Sequence, residues 1–204
     1  MRTPHTIHTL PSDLLAAHQT ITELRLEVAR LKALAMLDPL TGIANRRAFD
    51  EDLASAFARS KRTGSPLSVA VIDLDNFKIR NDHHGHAEGD RCLKSLAAQL
   101  VADSRRGDTA ARIGGEEFAL VLPDTTDAQA AEICKRIASN VRSRCGGADL
   151  TFSAGIAQID GTMADACTIL DYADSAMYTA KHNGKDQVAI HERRFRRSVY
   201  LWKR

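Results

Sequence analysis

Two acidic clusters in this chain have the residue types and spacing of a site that holds a divalent cation against phosphate. The first is Gly114-Gly115-Glu116-Glu117-Phe118, flanked by the apolar runs Ala110 to Ile113 and Phe118 to Leu122. Those runs read as strands and the glycines as the turn of a hairpin. A turn without side chains lets a nucleotide approach the backbone, and carboxylates beside it suit a hard cation. An exposed acidic turn is the competing reading of that motif taken alone. The second cluster decides between them. Leu67 to Leu74 (LSVAVIDL) is a short apolar, β-branched run leading into Asp73-Leu74-Asp75, so Asp73 is expected at the end of a central strand. Two acidic strand ends that meet across a sheet make a site for one or two divalent ions, which polarise a phosphoryl group and activate an attacking hydroxyl.

A sheet must bring these clusters together, and the hydropathy pattern supplies its elements. Helices are expected over 46–62, 86–104, 127–143 and 165–182, and strands over 67–74, 109–113, 116–122, 150–159 and 187–190. Their order and lengths predict an α/β (α+β) domain, an antiparallel sheet with helices on one face. Ahead of it, Ser12 is a helix N-cap and Leu14, Ala17, Ile21, Leu24, Val28, Leu31 and Ala35 recur at three and four residues. With Leu14, Ile21, Val28 and Ala35 at a and Ala17, Leu24 and Leu31 at d, the pattern is that of a parallel two-stranded coiled coil. Glu27 at g then faces Lys32 at e of the partner helix. An amphipathic helix packed on its own domain is the alternative. Pro39 closes the helix, because the residue before proline avoids the α region. The expected divisions are a disordered N-terminus over 1–11, a coiled-coil dimerisation helix over 12–37, the α/β domain over 38–190 and a basic tail over 191–204.

Composition restricts the function classes. The chain has 204 residues, 44% of them hydrophobic, enough for one domain with a proper core and an appendage. No apolar stretch approaches the roughly 18 residues of a membrane span, and no signal-peptide pattern opens the chain, so a cytoplasmic protein is expected. Cys92, Cys134, Cys145 and Cys167 are scattered without a CxxC pair, which fits reduced thiols. The formal charge of +2 conceals an asymmetry: Arg193, Arg194, Arg196, Arg197, Lys203 and Arg204 crowd the tail and leave the rest net acidic. With Phe195, Tyr200 and Trp202, that tail has the makings of a contact to an anionic surface, against the plainer reading of a solvated tail. His83, His84 and His86 cluster in sequence, but no cysteine lies near them and their spacing matches no finger pattern.

In order along the chain stand Asp38-Pro39-Leu40-Thr41-Gly42-Ile43-Ala44-Asn45-Arg46-Arg47-Ala48-Phe49, then Asp73 to Asp82 (DLDNFKIRND), Gly85 to Asp90 (GHAEGD), the Gly-Gly-Glu-Glu-Phe turn, and Ala173 to Lys185 (ADSAMYTAKHNGK). Together they closely resemble the GGDEF-domain diguanylate cyclases, over roughly residues 36–190. The resemblance implies a palm-like, ferredoxin-related fold and condensation of two GTP into cyclic di-GMP with release of two pyrophosphates. It implies that Asp73, the Leu74 carbonyl and Glu116 hold Mg²⁺, with Mn²⁺ able to substitute, and that Glu116 also helps deprotonate the attacking 3′-hydroxyl. Lys78 would offset charge on the phosphates in the transition state. Asn81 and Asp90 match the guanine-reading pair; a carboxylate accepts from the two adjacent N–H groups that guanine offers and adenine does not. His86 matches a sugar or phosphate contact. Lys181 and Lys185, expected on one face of the last helix, would hold the terminal phosphates, although the family usually has arginine at the second place. Arg105 and Asp108 form an RxxD at the spacing of the family's product-inhibition site. Each domain binds one GTP, so the resemblance implies a homodimer, here through the N-terminal helix. No nucleic acid is expected as a partner, and an unidentified regulatory protein is one route for an input signal. A catalytically silent module that binds GTP or cyclic di-GMP as a receptor is the alternative.

Overall fold

A computed structural model of the chain describes residues 12–34, 36–144 and 150–192. The expected disordered N-terminus, Cys145 and the arginine-rich part of the tail lie outside the described residues. Two compact units divide the chain at Met36. The first contains helix α1, Ser12–Leu34. Along it Leu14, Ile21 and Leu24 of the heptad seam are exposed, and so is Leu26 off the seam.

The second unit runs β1 (Ala44–Asn45), α2 (Arg46–Thr63), β2 (Leu67–Leu74), α3 (Phe77–His84), α4 (His86–Asp103), β3 (Thr109–Arg112), β4 (Glu117–Pro123), α5 (Asp127–Arg144), β5 (Phe152–Gln158), α6 (Ala166–His182) and β6 (Val188–Ile190). One six-stranded sheet has the order β1-β3-β4-β2-β5-β6. Its four inner strands pair antiparallel, and the short edges β1 and β6 join β3 and β5 in parallel.

The expectation of helices on one face is overturned, because every residue of β2 is buried. Its alternate side chains feed two cores. Ala70, Ile72 and Leu74 meet the α3, α4 and α5 side through Phe77, Leu93, Leu96 and Ile137. Val69 and Val71 meet the α2 and α6 side through Phe49, Leu53, Ile169 and Met177. A strand apolar on both faces needs cover on both, and the continuous LSVAVI run already carries that pattern. The coarse pattern also omitted α3, a short helix entered through Asn76 in the left-handed region at φ 56°.

Two local devices position the site. Asn45 caps α2 by accepting from the Ala48 N–H at 3.1 Å, and Gly64 ends that helix at φ +74°. Gly155 of β5 lets α6 rest directly on the sheet, since a Cβ there would overlap the backbone of Ala173 and Met177. That close approach sets the height of α6, and with it Lys181.

Candidate active site

Strand register puts the two acidic clusters side by side. Asp73 at the end of β2 lies opposite Glu117 of β4, and the Leu74 N–H donates to the Glu116 carbonyl at 3.3 Å. The turn between β3 and β4 is closed by the N–H groups of Ile113 and Gly114, which donate to the Glu117 carbonyl at 2.9 and 3.2 Å. The two glycines have separate jobs. A side chain at Gly114 would strike the Glu117 carboxylate, whereas nothing lies within 4 Å of the place a Cβ would take at Gly115. Gly115 therefore leaves the outer side of the turn open to a ligand.

A second network holds the turn from below. Arg112 donates from Nε and Nη2 to the Gly115 carbonyl at 3.2 and 2.6 Å, and from Nη1 to both carboxylate oxygens of Asp38 at 3.1 and 3.2 Å. Thr41 donates to the same Asp38 oxygen through its N–H at 2.8 Å and its hydroxyl at 2.6 Å. Burial acts to raise the Asp38 pKa, but the bonds from Thr41 and Arg112 outweigh it and hold the carboxyl below its ordinary range. Asp38, near the start of the second unit, thus fixes the turn that carries Glu116. Sequence reasoning took Asp38 only as part of a motif and missed Arg112; two residues before the first glycine, it was the available signal.

The electrostatics of the cleft run the other way. Burial pushes the Asp73 carboxyl above its ordinary range, against the pull of the Lys181 ammonium 2.6 Å from Oδ2. Glu116 is also raised, first by burial and then by the nearby Asp73 charge. Asp73 Oδ1 is buried and has no hydrogen-bond partner. An orphaned buried carboxylate oxygen beside a second carboxylate is the environment a hard cation relieves. Among the described residues no three His, Cys, Asp or Glu side chains form a metal cluster. An ion held by Asp73, Glu116 and the Leu74 carbonyl would complete its shell with substrate phosphate and water, as Mg²⁺ commonly does.

The other expected site residues are only partly drawn in. Lys185 is not on the last helix, which ends at His182; it lies in the following loop at φ 63° and donates from Nζ to Asn76 Oδ1 at 2.6 Å. Both lysines nonetheless act on Asp73, because each lowers its pKa. Lys78, His86 and Asp90 are exposed on α3 and α4. Asn81 is half-buried, its Oδ1 has no partner, and a Cβ on Gly89 would collide with that atom. Arg80 on α3 and Glu88 on α4 tie the two helices together through a 3.3 Å ion pair. Arg105 and Asp108 sit elsewhere, between α4 and β3. Asp108 accepts from the Arg105 backbone N–H at 3.0 Å and from its Nε at 3.2 Å, while Arg105 Nη2 donates to the Pro123 carbonyl and to Thr125 Oγ1. A cavity of about 340 Å³ beside them is lined by Asp103, Thr125, Gln129 and Arg136.

A family model described as "Diguanylate cyclase, GGDEF domain" matches residues 35–187. The chain belongs to this GGDEF-domain family. Over 189 residues it is 36% identical to the diguanylate cyclase DgcP of Pseudomonas aeruginosa, covering 90% of this chain and 27% of that protein. It is 35% identical over 177 residues to DgcP of Escherichia coli, covering 84% of this chain and 52% of the relative. The chain thus spans about half or less of these curated relatives. Among solved structures it resembles the coiled coil and GGDEF domain of DgcB from Caulobacter crescentus in complex with c-di-GMP, at 29% identity and a TM-score of 0.79, covering 88% of this chain and 97% of that one. It also resembles the active GGEEF domain of a diguanylate cyclase from Vibrio cholerae, at 33% identity and a TM-score of 0.71, covering 74% and 99%. GGDEF diguanylate cyclases are metal-dependent, which agrees with the orphaned oxygen of Asp73. No helix among the described residues is long and apolar enough to cross a membrane.

Proposed function

We propose that this GGDEF domain condenses two GTP into cyclic di-GMP with release of two pyrophosphates. The observation that carries the reading is the unpartnered Oδ1 of Asp73, set in one cleft with Glu116, Lys181 and Lys185. Asp73, Glu116 and the Leu74 carbonyl would hold Mg²⁺, which would supply Lewis-acid polarisation of a phosphate and acidification of a hydroxyl. Glu116 accepts the 3′-hydroxyl proton, a role its raised pKa favours. Lys181 and Lys185 neutralise the terminal phosphates, and Lys78 meets charge developing in the transition state. Asn81 and Asp90 read the guanine edge, and His86 contacts the sugar or phosphate side.

Each domain carries one such cleft, so the hydroxyl of one GTP must meet the α-phosphate of another across a dimer. The seam of α1, with Leu14, Ile21 and Leu24 exposed, is the surface suited to hold that dimer. Arg105 and Asp108 form the feedback site for cyclic di-GMP. A regulatory protein supplies the input, a reading supported by the similar diguanylate cyclase SiaD of Pseudomonas aeruginosa, whose crystal structure is in complex with its activator SiaC.

The test is the purified chain with GTP and Mg²⁺, with nucleotides followed by chromatography and Glu116→Ala in parallel. Cyclic di-GMP from the wild type alone, with turnover per chain rising with protein concentration, is expected. No product from a verified dimer, with Mn²⁺ also supplied, would overturn catalysis in favour of a receptor.

A further inference from the structure

Asp73 and Asp75 stand two residues apart at the same strand end, both buried, yet their surroundings differ. Asp73 keeps one oxygen without a hydrogen-bond partner. Asp75 has none to spare: Oδ1 accepts from the Ser153 hydroxyl at 2.7 Å, and Oδ2 accepts from the Thr151 hydroxyl and the Asp186 N–H, each at 2.9 Å. Its own N–H donates to the Thr151 carbonyl at 2.9 Å. A carboxylate so occupied is poorly placed to ligate a cation, so the second acid of the strand-end pair has another task.

Its one partner outside β5 and its approach identifies that task. Lys185 and Asp186 are consecutive non-glycine residues in the left-handed region, at φ 63° and 47°. Such a pair persists only where its surroundings over-determine it, and it marks functional segments. The holding contacts are few. The Lys185 N–H donates to the Ala180 carbonyl at 3.1 Å, Asp186 pairs through its side chain with Arg142, and the Ala154 N–H donates to the Gln187 carbonyl at 2.9 Å. Asp75 is the buried group that grips the Asp186 amide itself, at the centre of the left-handed pair. The outcome of that conformation is the placement of Lys185 Nζ, 2.6 Å from Asn76 Oδ1 and near enough to Asp73 to lower its pKa.

We propose that Asp75 is a positioning residue: it clamps the loop after α6 so that Lys185, the phosphate-binding cation of the proposed site, is aimed into the cleft before the nucleotide arrives. The inference rests on the reading of Lys185 as a triphosphate contact. It gives the two acids of one strand end separate roles, Asp73 toward the metal and Asp75 toward the cation that faces the phosphates. It also accounts for a lysine serving at a place where geometry is demanding, because a fixed backbone compensates for a side chain without a planar fork.

The probe is the α,β-methylene analogue of GTP with Mg²⁺, which binds without reacting. Its Kd is measured by calorimetry for the wild-type chain, Asp75→Asn, Lys185→Ala and the double variant, with a thermal melt for each. Asp75→Asn keeps the shape but removes the charge and replaces one of the two acceptor oxygens by an N–H₂ group. Both single variants are expected to weaken binding about five- to twentyfold, and the double variant by no more than about twofold beyond the weaker single, the signature of two residues acting through one contact. Full multiplication of the two effects, or wild-type affinity in Asp75→Asn while Lys185→Ala is weakened, overturns the role of Asp75. Wild-type affinity in Lys185→Ala overturns instead the phosphate role on which the inference stands. If Asp75→Asn does not fold, Thr151→Val tests the same clamp by removing a hydroxyl that holds Asp75 Oδ2; it is expected to weaken binding in the same direction, and wild-type affinity there sinks the proposal.

Discussion

The two ends of β4 carry acids in opposite states. At the Glu117 end, Asp73 is buried and Glu116 half-buried, both are raised in pKa, first by burial, and Asp73 has an oxygen without a partner. At the Pro123 end, Arg105 is bound to Asp108, Thr125 and the strand carbonyl, and nearby Asp103 accepts from Gln99 at 2.6 Å and from Arg136 and Asn140 at 3.0 Å. Burial acts to raise Asp103, but the bonds from Asn140 and Gln99, followed by Arg136, outweigh it and hold its pKa low. The ends lie roughly 20 Å apart, given about 3.3 Å per residue of strand. One end keeps an unpartnered carboxylate oxygen; the other is closed on itself. A ligand at the closed end must therefore exchange existing bonds for its own, which suits a site that responds only when product has accumulated.

The largest test of that contrast is Asp73→Asn. Activity is expected to fall by about a thousandfold or more, since a carboxylate ligand to the metal is lost. Stability should move the opposite way. Because the folded pKa of Asp73 lies above its ordinary 3.8, ionisation favours the unfolded chain: the fold is most stable where Asp73 is protonated in both states and loses stability as pH rises through 3.8 to the folded value. Above the folded value the penalty is complete, so Asp73→Asn should melt higher than wild type at neutral pH, with the gain shrinking as pH falls toward 3.8. A lower melting temperature at pH 7 would break the contrast.

Arg105→Ala is next in size. It is expected to raise the cyclic di-GMP concentration for half-inhibition about tenfold or more, read from initial rates at graded product concentrations. Unchanged inhibition would place feedback elsewhere. The smallest effect is Asp103→Asn, the mirror of the first. A lowered folded pKa contributes stability above 3.8 that is lost as pH falls through the folded value. The substitution should therefore destabilise at pH 7, by about 1 kcal/mol, and cost little at the acid end. Thermal melts across that pH range give the answer, and equal signs for Asp73→Asn and Asp103→Asn would remove the distinction between the two ends.

Much of the fold was legible because hydropathy periods report burial directly. The run from Leu67 to Leu74 showed its strand, and the helices from Arg46, His86, Asp127 and Ala166 fell within a residue or two of expectation. The layer arrangement was misjudged although the same run held the answer, since a strand without alternation requires cover on both faces. Helix α3 was left out because eight residues rich in charge and histidine carry a weak period. Lys185 was expected on the last helix because spacing of four suits a helical face; the chain instead leaves the helix after His182 and turns through two left-handed residues.

What the sequence determined by itself was the candidate inventory, a set of acids, lysines and glycines in a fixed order, because residue types and local spacing are read directly from the chain. What the tertiary structure decided was their state. That Asp73 keeps one oxygen without a partner while Asp75 has none to spare depends on where Thr151, Ser153 and Asp186 are brought in, from β5, its approach and the loop after α6. That Arg112 steadies the Gly114-Gly115 turn depends on Asp38, 74 residues away along the chain. Hydrogen bonds between residues so distant in sequence leave no local period to read, and only the packing of the sheet brings their atoms within reach.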